Sequence, residues 1–194
     1  MTTLRVHDVR LADGNLILRP MTEEDWPVLM RWNNDPEVLY YAEGDKVTSR
    51  SLEETQHIYR SVSQHAFNFI VELDGRPISE CWLQEMNLKR VLSRYPGTMA
   101  LRRIDLTMGE KALWGRGYGT RIIRAQVRFG FHGCNADAIF GCSIADYNPR
   151  SRRAFEKNGF VVDQVIPQVP GGKAQVVYDM ILTRARYATP GISV

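Results

Sequence analysis

The sequence predicts a single α/β (α+β) domain, and three observations carry that expectation. Strand-like apolar runs alternate with helix-periodic runs along the 194 residues. Alternating glycines stand where one strand hands over to a helix, and a later helix carries both a start and a stop signal. With 44% hydrophobic and 24% charged residues the chain can bury one sizeable core, which suits one domain over residues 1–194.

Taken in order, residues 1–14 form an extension that can pair, about the turn Asp13-Gly14-Asn15, with a strand over Leu16–Arg19. Thr22 with Asp25 makes a capping box that opens a helix burying Trp26, Leu29 and Met30. Asp35-Pro36 caps a second helix, and Ser51 with Glu54 starts a third whose Thr55, Ile58, Tyr59 and Val62 share a face. Strands over 67–73 and 78–86 flank Asp74-Gly75, a hairpin signal. Residues 87–99 read as a longer surface connection, the kind of segment on which binding residues are often carried, followed by a strand over 104–108 and an amphipathic helix over 121–131. The apolar run 138–144 suits a buried strand. Residues 161–166 and 174–182 are strands around Pro170-Gly171-Gly172, and 183–194, including the tail 185–194, reads as frayed.

The handover at 104–121 is the most informative stretch. Trp114, Gly115, Arg116, Gly117, Tyr118, Gly119 and Thr120 lie between strand and helix. Glycine backbones can take φ > 0 and approach a ligand closely, so successive N–H groups converge at the positive end of the helix dipole and suit an anion. The dinucleotide fingerprint needs G-x-G-x-x-G and an acid about 20 residues on, and the mononucleotide loop needs a lysine after its last glycine. Neither is present. On its own the run is either an anion cradle or a plain structural turn.

The second element decides between them. Asn148-Pro149 opens a helix, and Lys157-Asn158-Gly159 closes it. Here the chain resembles the GNAT superfamily of acyl-CoA N-acyltransferases. Its glycine turn matches that family's pyrophosphate loop, with Trp114 in place of the usual glutamine or arginine. Residues 148–160 match the family's N-x-x-S-x-x-x-[YF]-x-K-x-G-F pattern, and Leu16-Ile17-Leu18-Arg19-Pro20 resembles its opening phrase. The resemblance covers roughly residues 15–184. It implies a GNAT fold, with a mixed central sheet of about seven strands splayed at strand 4 and about four helices on both sheet faces, and acetyl-CoA (coenzyme A) as cofactor. It also implies cofactor contacts from the loop residues, from Asn148, Ser151 and Phe155, and from the strand end Thr107, Met108 and Gly109.

Acyl transfer to an amine needs a neutral nitrogen, a stabilised oxyanion and a tolerable leaving thiolate. Asp105 interrupts the apolar alternation Ile104, Leu106, Met108, and the Ile-Asp phrase at this distance from the loop resembles the aminoglycoside 6′-N-acetyltransferases. That makes Asp105 the catalytic candidate, as base or ammonium anchor. An ion pair with Arg102 or Arg103 is the alternative. Glu80, an outward-facing strand glutamate, is the second carboxylate. Many members of the family have a tyrosine at the Phe155 position to protonate the thiolate, and phenylalanine cannot donate. Tyr118 and Tyr147 are either substitutes or packing residues, and a thiol of pKa about 8.5 leaves tolerably as an anion.

Asp35, Glu37, Glu43 and Asp45 surround Tyr40 and Tyr41 without a base among residues 35–45. In the family this region lines the acceptor site, so Tyr41, Glu43, Asp45 and Glu80 are the substrate-binding candidates, and their acidity suits a polycation such as an aminoglycoside. A solvated loop is the bland alternative. The related branch that acetylates protein amino termini, a polyamine acetyltransferase, and a non-enzymatic acyl-CoA sensor remain open beside it.

The remaining features point to ordinary roles. The net charge of +3 is spread without an aromatic ladder, which speaks against nucleic acid. Arg121, Arg124 and Arg128 form either a solvated helix face or a field for the cofactor's phosphates. There is no apolar run of about 18 residues and no signal-peptide core, so the expectation is a cytoplasmic protein with no membrane partner. Cys81, Cys134 and Cys142 lack metal spacing and read as reduced, buried thiols, and the four histidines are scattered, so no metal is expected. A family-like homodimer is an expectation from the resemblance alone.

Overall fold

The computed structural model describes residues 3–43 and 47–189. Among them lie eight strands and seven α-helices. Strands β1 (Leu11–Asp13), β2 (Leu16–Pro20), β3 (Ala66–Leu73), β4 (Arg76–Glu85), β5 (Leu101–Thr107), β6 (Ala138–Ala145), β7 (Val161–Pro167) and β8 (Val176–Thr183) follow the order β1-β2-β3-β4-β5-β6-β8-β7. The eighth strand is β1, where Leu11↔Leu18 and Asp13↔Leu16 pair across the predicted turn. The chain groups into two compact units, one running through Trp82 and taking back Leu106–Tyr118, the other holding Leu83–Asp105 and the chain from Gly119.

In the first unit, α1 (Trp26–Trp32), α2 (Pro36–Ala42) and α3 (Leu52–Ser63) accompany β1–β3. The Thr22/Asp25 box precedes α1, and the predicted inward Met30 gives way to Trp32, which joins Trp26, Leu29, Tyr59 and Ile70 in the core. Asp35 accepts from the Glu37 and Val38 amides at the start of α2, and Ser51 and Glu54 close a reciprocal box on α3. β3 and β4 join at Asp74 (φ 49°) and Gly75 (φ 77°), the paired left-handed residues that a two-residue hairpin needs. Arg19 on β2 forks the buried Asp25 at 2.7 and 2.9 Å, so the box carboxylate does not lie uncompensated.

The second unit centres on β6, parallel to β5 (Leu101↔Ala138) and antiparallel to β8 (Ala138↔Thr183). Its helices are α4 (Lys89–Leu92), α5 (Tyr118–His132, which starts one residue before this unit), α6 (Pro149–Glu156) and α7 (Arg184–Tyr187). Helix α5 lies close on β6, where a Cβ on Gly130 would sit 2.5 Å from Ile139. The stretch 87–99 is more than a surface connection. It contains α4, buries Val91 against Leu101 and Phe140, and sends Arg90 to the fully buried Asp179 through two bonds of 2.9 Å. Asp179 also accepts the Ser143 amide at 2.9 Å, which fixes that residue at φ 56° in the irregularity of β6 between Gly141 and Ile144. The predicted frayed tail is helical over 184–187, and Tyr187 stacks on Phe131 at 4.6 Å; residues 190–194 lie outside the described residues. Of the three free thiols only Cys81 is fully buried, whereas Cys134 and Cys142 are partly exposed.

Candidate active site

The chain between β5 and α5 is fastened at several points within the first unit. Ser79 Oγ donates to the Thr107 carbonyl at 2.8 Å, and the Glu110 amide donates to the Ile78 carbonyl at 3.0 Å. Gly109 lies flat on Trp32, where a Cβ would fall 2.2 Å from the indole. The Glu110 carboxylate accepts from Trp32 Nε1 at 3.0 Å and pairs with Arg31, both on α1. Lys111 reaches Asp35 at 2.9 Å and Glu37 at 3.2 Å, at the head of α2. Trp114 Nε1 donates to the Met108 carbonyl at 2.8 Å, while its ring meets Tyr41 of α2 edge-on at 5.5 Å. The tryptophan thus ties the loop back onto the strand end. Sequence reasoning placed it in the loop but had no signal for this bond.

Beyond Trp114 the backbone turns through Gly115 (φ 75°) and Gly117 (φ 84°) and enters α5 at Tyr118. A Cβ on either glycine would meet nothing within 4 Å. That side of the turn is open, at the end of a 15-residue helix whose first amides lack intrahelical acceptors, which is the setting that suits an anion. These residues fit the diphosphate of a coenzyme: a left-handed turn that only glycine takes cheaply, with no atom within 4 Å of where either Cβ would stand.

In the second unit, Asn148 Oδ1 accepts the Ser151 amide at 3.2 Å, so this asparagine caps α6. Phe155 is a core residue, 4% exposed, with its ring over Gly141 and edge-on to Phe160 at 5.0 Å. Asn158, not singled out from the sequence as a site residue, is buried and donates to the carbonyls of Thr120 at 3.0 Å and Ala154 at 2.8 Å. It pins the end of α6 to the first turn of α5. An asparagine just before the terminating glycine was the available signal. Tyr147 lies 4.3 Å from Lys173 Nζ in a cation–π contact.

Asp105 is half-buried, its side chain 30% exposed. Arg103 forks it, Nε to Oδ2 at 2.8 Å and Nη2 to Oδ1 at 3.3 Å, and Gln84 Nε2 adds a bond of 3.0 Å. The ion pair weighed for this carboxylate is therefore present and falls to Arg103, whereas Arg102 turns to Glu85 at 3.4 Å. Glu80 departs from expectation: it is 2% exposed, not outward-facing. Burial, and then the charge of Glu80, push the Tyr59 phenol well above its ordinary pKa, and the same two causes push up the Cys81 thiol. The Tyr59 hydroxyl accepts from Asn33 Nδ2 at 3.1 Å.

The acidic stretch 35–45 gains in space the bases it lacks in sequence. Lys111 pairs with Asp35 and Glu37 and, as the leading cause, holds the Asp35 carboxyl below its ordinary pKa. Glu43 pairs with Arg50 at 2.8 Å, and Tyr40 meets Tyr41 edge-on at 4.9 Å. Asp45 lies outside the described residues. Among the described residues no three His, Cys, Asp or Glu side chains gather to hold a metal, and no helix is long and apolar enough to cross a membrane.

A strand leading into a glycine turn at the head of a helix, with a second capped helix pinned to that helix's first turn, suits an enzyme that holds an anionic group on main-chain amides. The chain belongs to the acetyltransferase (GNAT) domain family, which matches residues 15–161. It is an acyltransferase that takes an acetyl group from acetyl-CoA and passes it to an amine. The chain is 26% identical to the aminoglycoside N(6′)-acetyltransferase type 1 of Klebsiella pneumoniae, over 91% of this chain and 87% of that protein. Among solved structures it resembles aminoglycoside acetyltransferase AAC(6′)-Ib in complex with coenzyme A and kanamycin (TM-score 0.71, 23% identity, 89% and 96% of the two chains). It also resembles spermidine N-acetyltransferase from Vibrio cholerae in complex with CoA and spermine (TM-score 0.73, 19% identity, 91% and 100%).

Proposed function

We propose that the acceptor is the primary amine of a small polycationic molecule of the aminoglycoside type, with Asp105 as the carboxylate that receives it. The observation that carries this reading is Asp105 itself: a partly exposed carboxylate on the strand that continues into Thr107, Met108, Gly109 and the glycine cradle. The likeness to the aminoglycoside N(6′)-acetyltransferase over 91% of the chain supports it.

The roles follow from the chemistry required. Acetyl-CoA, when bound, supplies a thioester whose carbonyl carbon accepts the amine. The amides of Gly115 and Gly117 and of the first turn of α5 grip its diphosphate, while those of Trp114 and Arg116 donate to the Lys111 and Leu113 carbonyls and hold the turn itself. The main chain of Thr107, Met108 and Gly109 orients the arm beyond it. A primary alkyl amine has a pKa of about 10 and arrives as an ammonium, so a negative charge at Asp105 holds it until one proton passes to water; the nitrogen then bonds to the thioester carbonyl carbon, gives its second proton to water, and the C–S bond breaks. With Phe155 in the core, no hydroxyl at that position protonates the departing thiolate, which leaves as the anion. A cytoplasmic, membrane-independent enzyme suits this proposal.

A second reading, transfer to a protein or peptide amino terminus, is favoured by the ion pairs. Asp35, Glu37 and Glu43 already face Lys111 and Arg50, which leaves less uncompensated acidity for a polycation than the sequence suggests. Thiol release from acetyl-CoA with kanamycin, spermidine, an N-terminal peptide and lysine separates the readings. Turnover of kanamycin that collapses in Asp105→Ala supports the first; turnover of the peptide alone supports the second. Silence with all four amines would overturn both.

A further inference from the structure

Resting on the reading of Asp105 as the acceptor's anchor, we propose that Arg103 and Gln84 are positioning residues that fix the orientation of its carboxylate, and that they act through hydrogen-bond geometry, not charge alone. Arg103 and Asp105 stand two apart on β5, on one face of the strand. An aspartate left to itself turns broadly about its terminal torsion. Here the planar guanidinium takes both oxygens, at 2.8 and 3.3 Å, which sets the plane of the carboxylate as a point charge could not. Gln84, buried on β4, donates its amide to Oδ2 at 3.0 Å and removes the remaining freedom to rock. Arg103 is braced in turn, since its Nη1 donates to Asn87 Oδ1 at 3.3 Å and its side chain is only 17% exposed. A buried glutamine and a braced arginine thus converge from two strands on one partly exposed carboxylate. Plain charge neutralisation would need only the arginine.

The test uses the full chain and the fastest amine of the four-amine panel. Arg103→Lys, Arg103→Met, Gln84→Met and Asp105→Asn are compared for kcat, amine KM, acetyl-CoA Kd by calorimetry, and melting temperature. Both Arg103 variants are expected to lose about tenfold or more in kcat, since small misplacements of a reacting group cost that much. Gln84→Met should lose about threefold or more, as befits one hydrogen bond from an uncharged donor to a carboxylate. Acetyl-CoA Kd should stay within about twofold in every variant, and lysine should not rescue. Wild-type kcat in Arg103→Lys would overturn the proposal in favour of charge alone. Wild-type kcat in both Arg103→Met and Gln84→Met, with Asp105→Asn inactive, would overturn it and leave the Asp105 reading standing. Wild-type kcat in Asp105→Asn would overturn the Asp105 reading itself. Should Arg103→Met melt too low to assay, Asn87→Ala removes the brace instead and must lower kcat for the proposal to survive.

Discussion

Replacing Gly117 by alanine should abolish coenzyme binding while costing the fold little. At φ 84° an L-residue is strained by about 1–2 kcal/mol, and the added Cβ meets no protein atom within 4 Å, so strain is the whole folding penalty. For a chain of this size that corresponds to a melting shift of about 2–8 °C. Gly171, at φ 88° and equally free of neighbours, sits in the turn between β7 and β8 and should show the same shift in Gly171→Ala. The two differ in what the methyl obstructs. Loss of two charge-assisted bonds from loop amides to the diphosphate would weaken binding by about 3–6 kcal/mol, or roughly a hundred- to ten-thousand-fold. Coenzyme A at 100 times its wild-type Kd stabilises by about 2.7 kcal/mol, a rise of about 5–11 °C. Thermal melts with and without coenzyme A should therefore show that rise in the wild type and in Gly171→Ala, and almost none in Gly117→Ala. An equal rise in Gly117→Ala would refute the placement of the cofactor on this loop.

Trp114→Phe removes the donor to the Met108 carbonyl and should cost about 1–2 kcal/mol in denaturant unfolding while weakening acetyl-CoA binding severalfold by calorimetry. Arg90→Met leaves the fully buried Asp179 without its counter-charge and should destabilise by about 3–5 kcal/mol; pairing it with Asp179→Asn should restore much of that in the same unfolding assay. Burial, the leading cause, holds the His7 imidazole below its usual 6.5, so the fold favours the neutral ring. Its contribution is complete above pH 6.5 and declines as pH falls from there toward the folded value, because the unfolded chain then binds the extra proton. Melting temperatures at pH 7.5 and 5.5 should therefore bring wild type and His7→Gln closer together at the lower pH.

Punctuation was the most legible part of the chain. The boxes at Thr22/Asp25 and Ser51/Glu54, the cap at Asn148 and the hairpin at Asp74-Gly75 stand where local hydrogen bonding demands, because each partner lies within three residues. The glycine turn was legible for the same reason, since its left-handed φ values belong to single residues. What escaped depends on partners far along the chain. Glu80 looked like an outward glutamate because alternation in β4 cannot tell which neighbours cover it. The acidity of residues 35–45 looked uncompensated because Lys111 and Arg50 reach it only after folding. The 87–99 stretch looked like a loop because its anchor, Asp179, is a strand residue near the other end of the chain. Asp105 was legible as a carboxylate on the strand before the glycine turn, with Arg103 foreseen as one of two partners, but its bond to Gln84 was not.

The grips of Glu110 on Trp32, of Lys111 on Asp35 and Glu37, and of Trp114 on Tyr41 join the glycine-rich bend proposed to hold the coenzyme to α1 and α2 in one mechanical frame. Whatever stills the bend also stills the helix that carries Tyr41, so whichever ligand comes second finds part of the ordering cost already met. Saturation with coenzyme A should then tighten the acceptor, and saturation with the acceptor should tighten coenzyme A by the same factor, because a thermodynamic linkage runs equally in both directions.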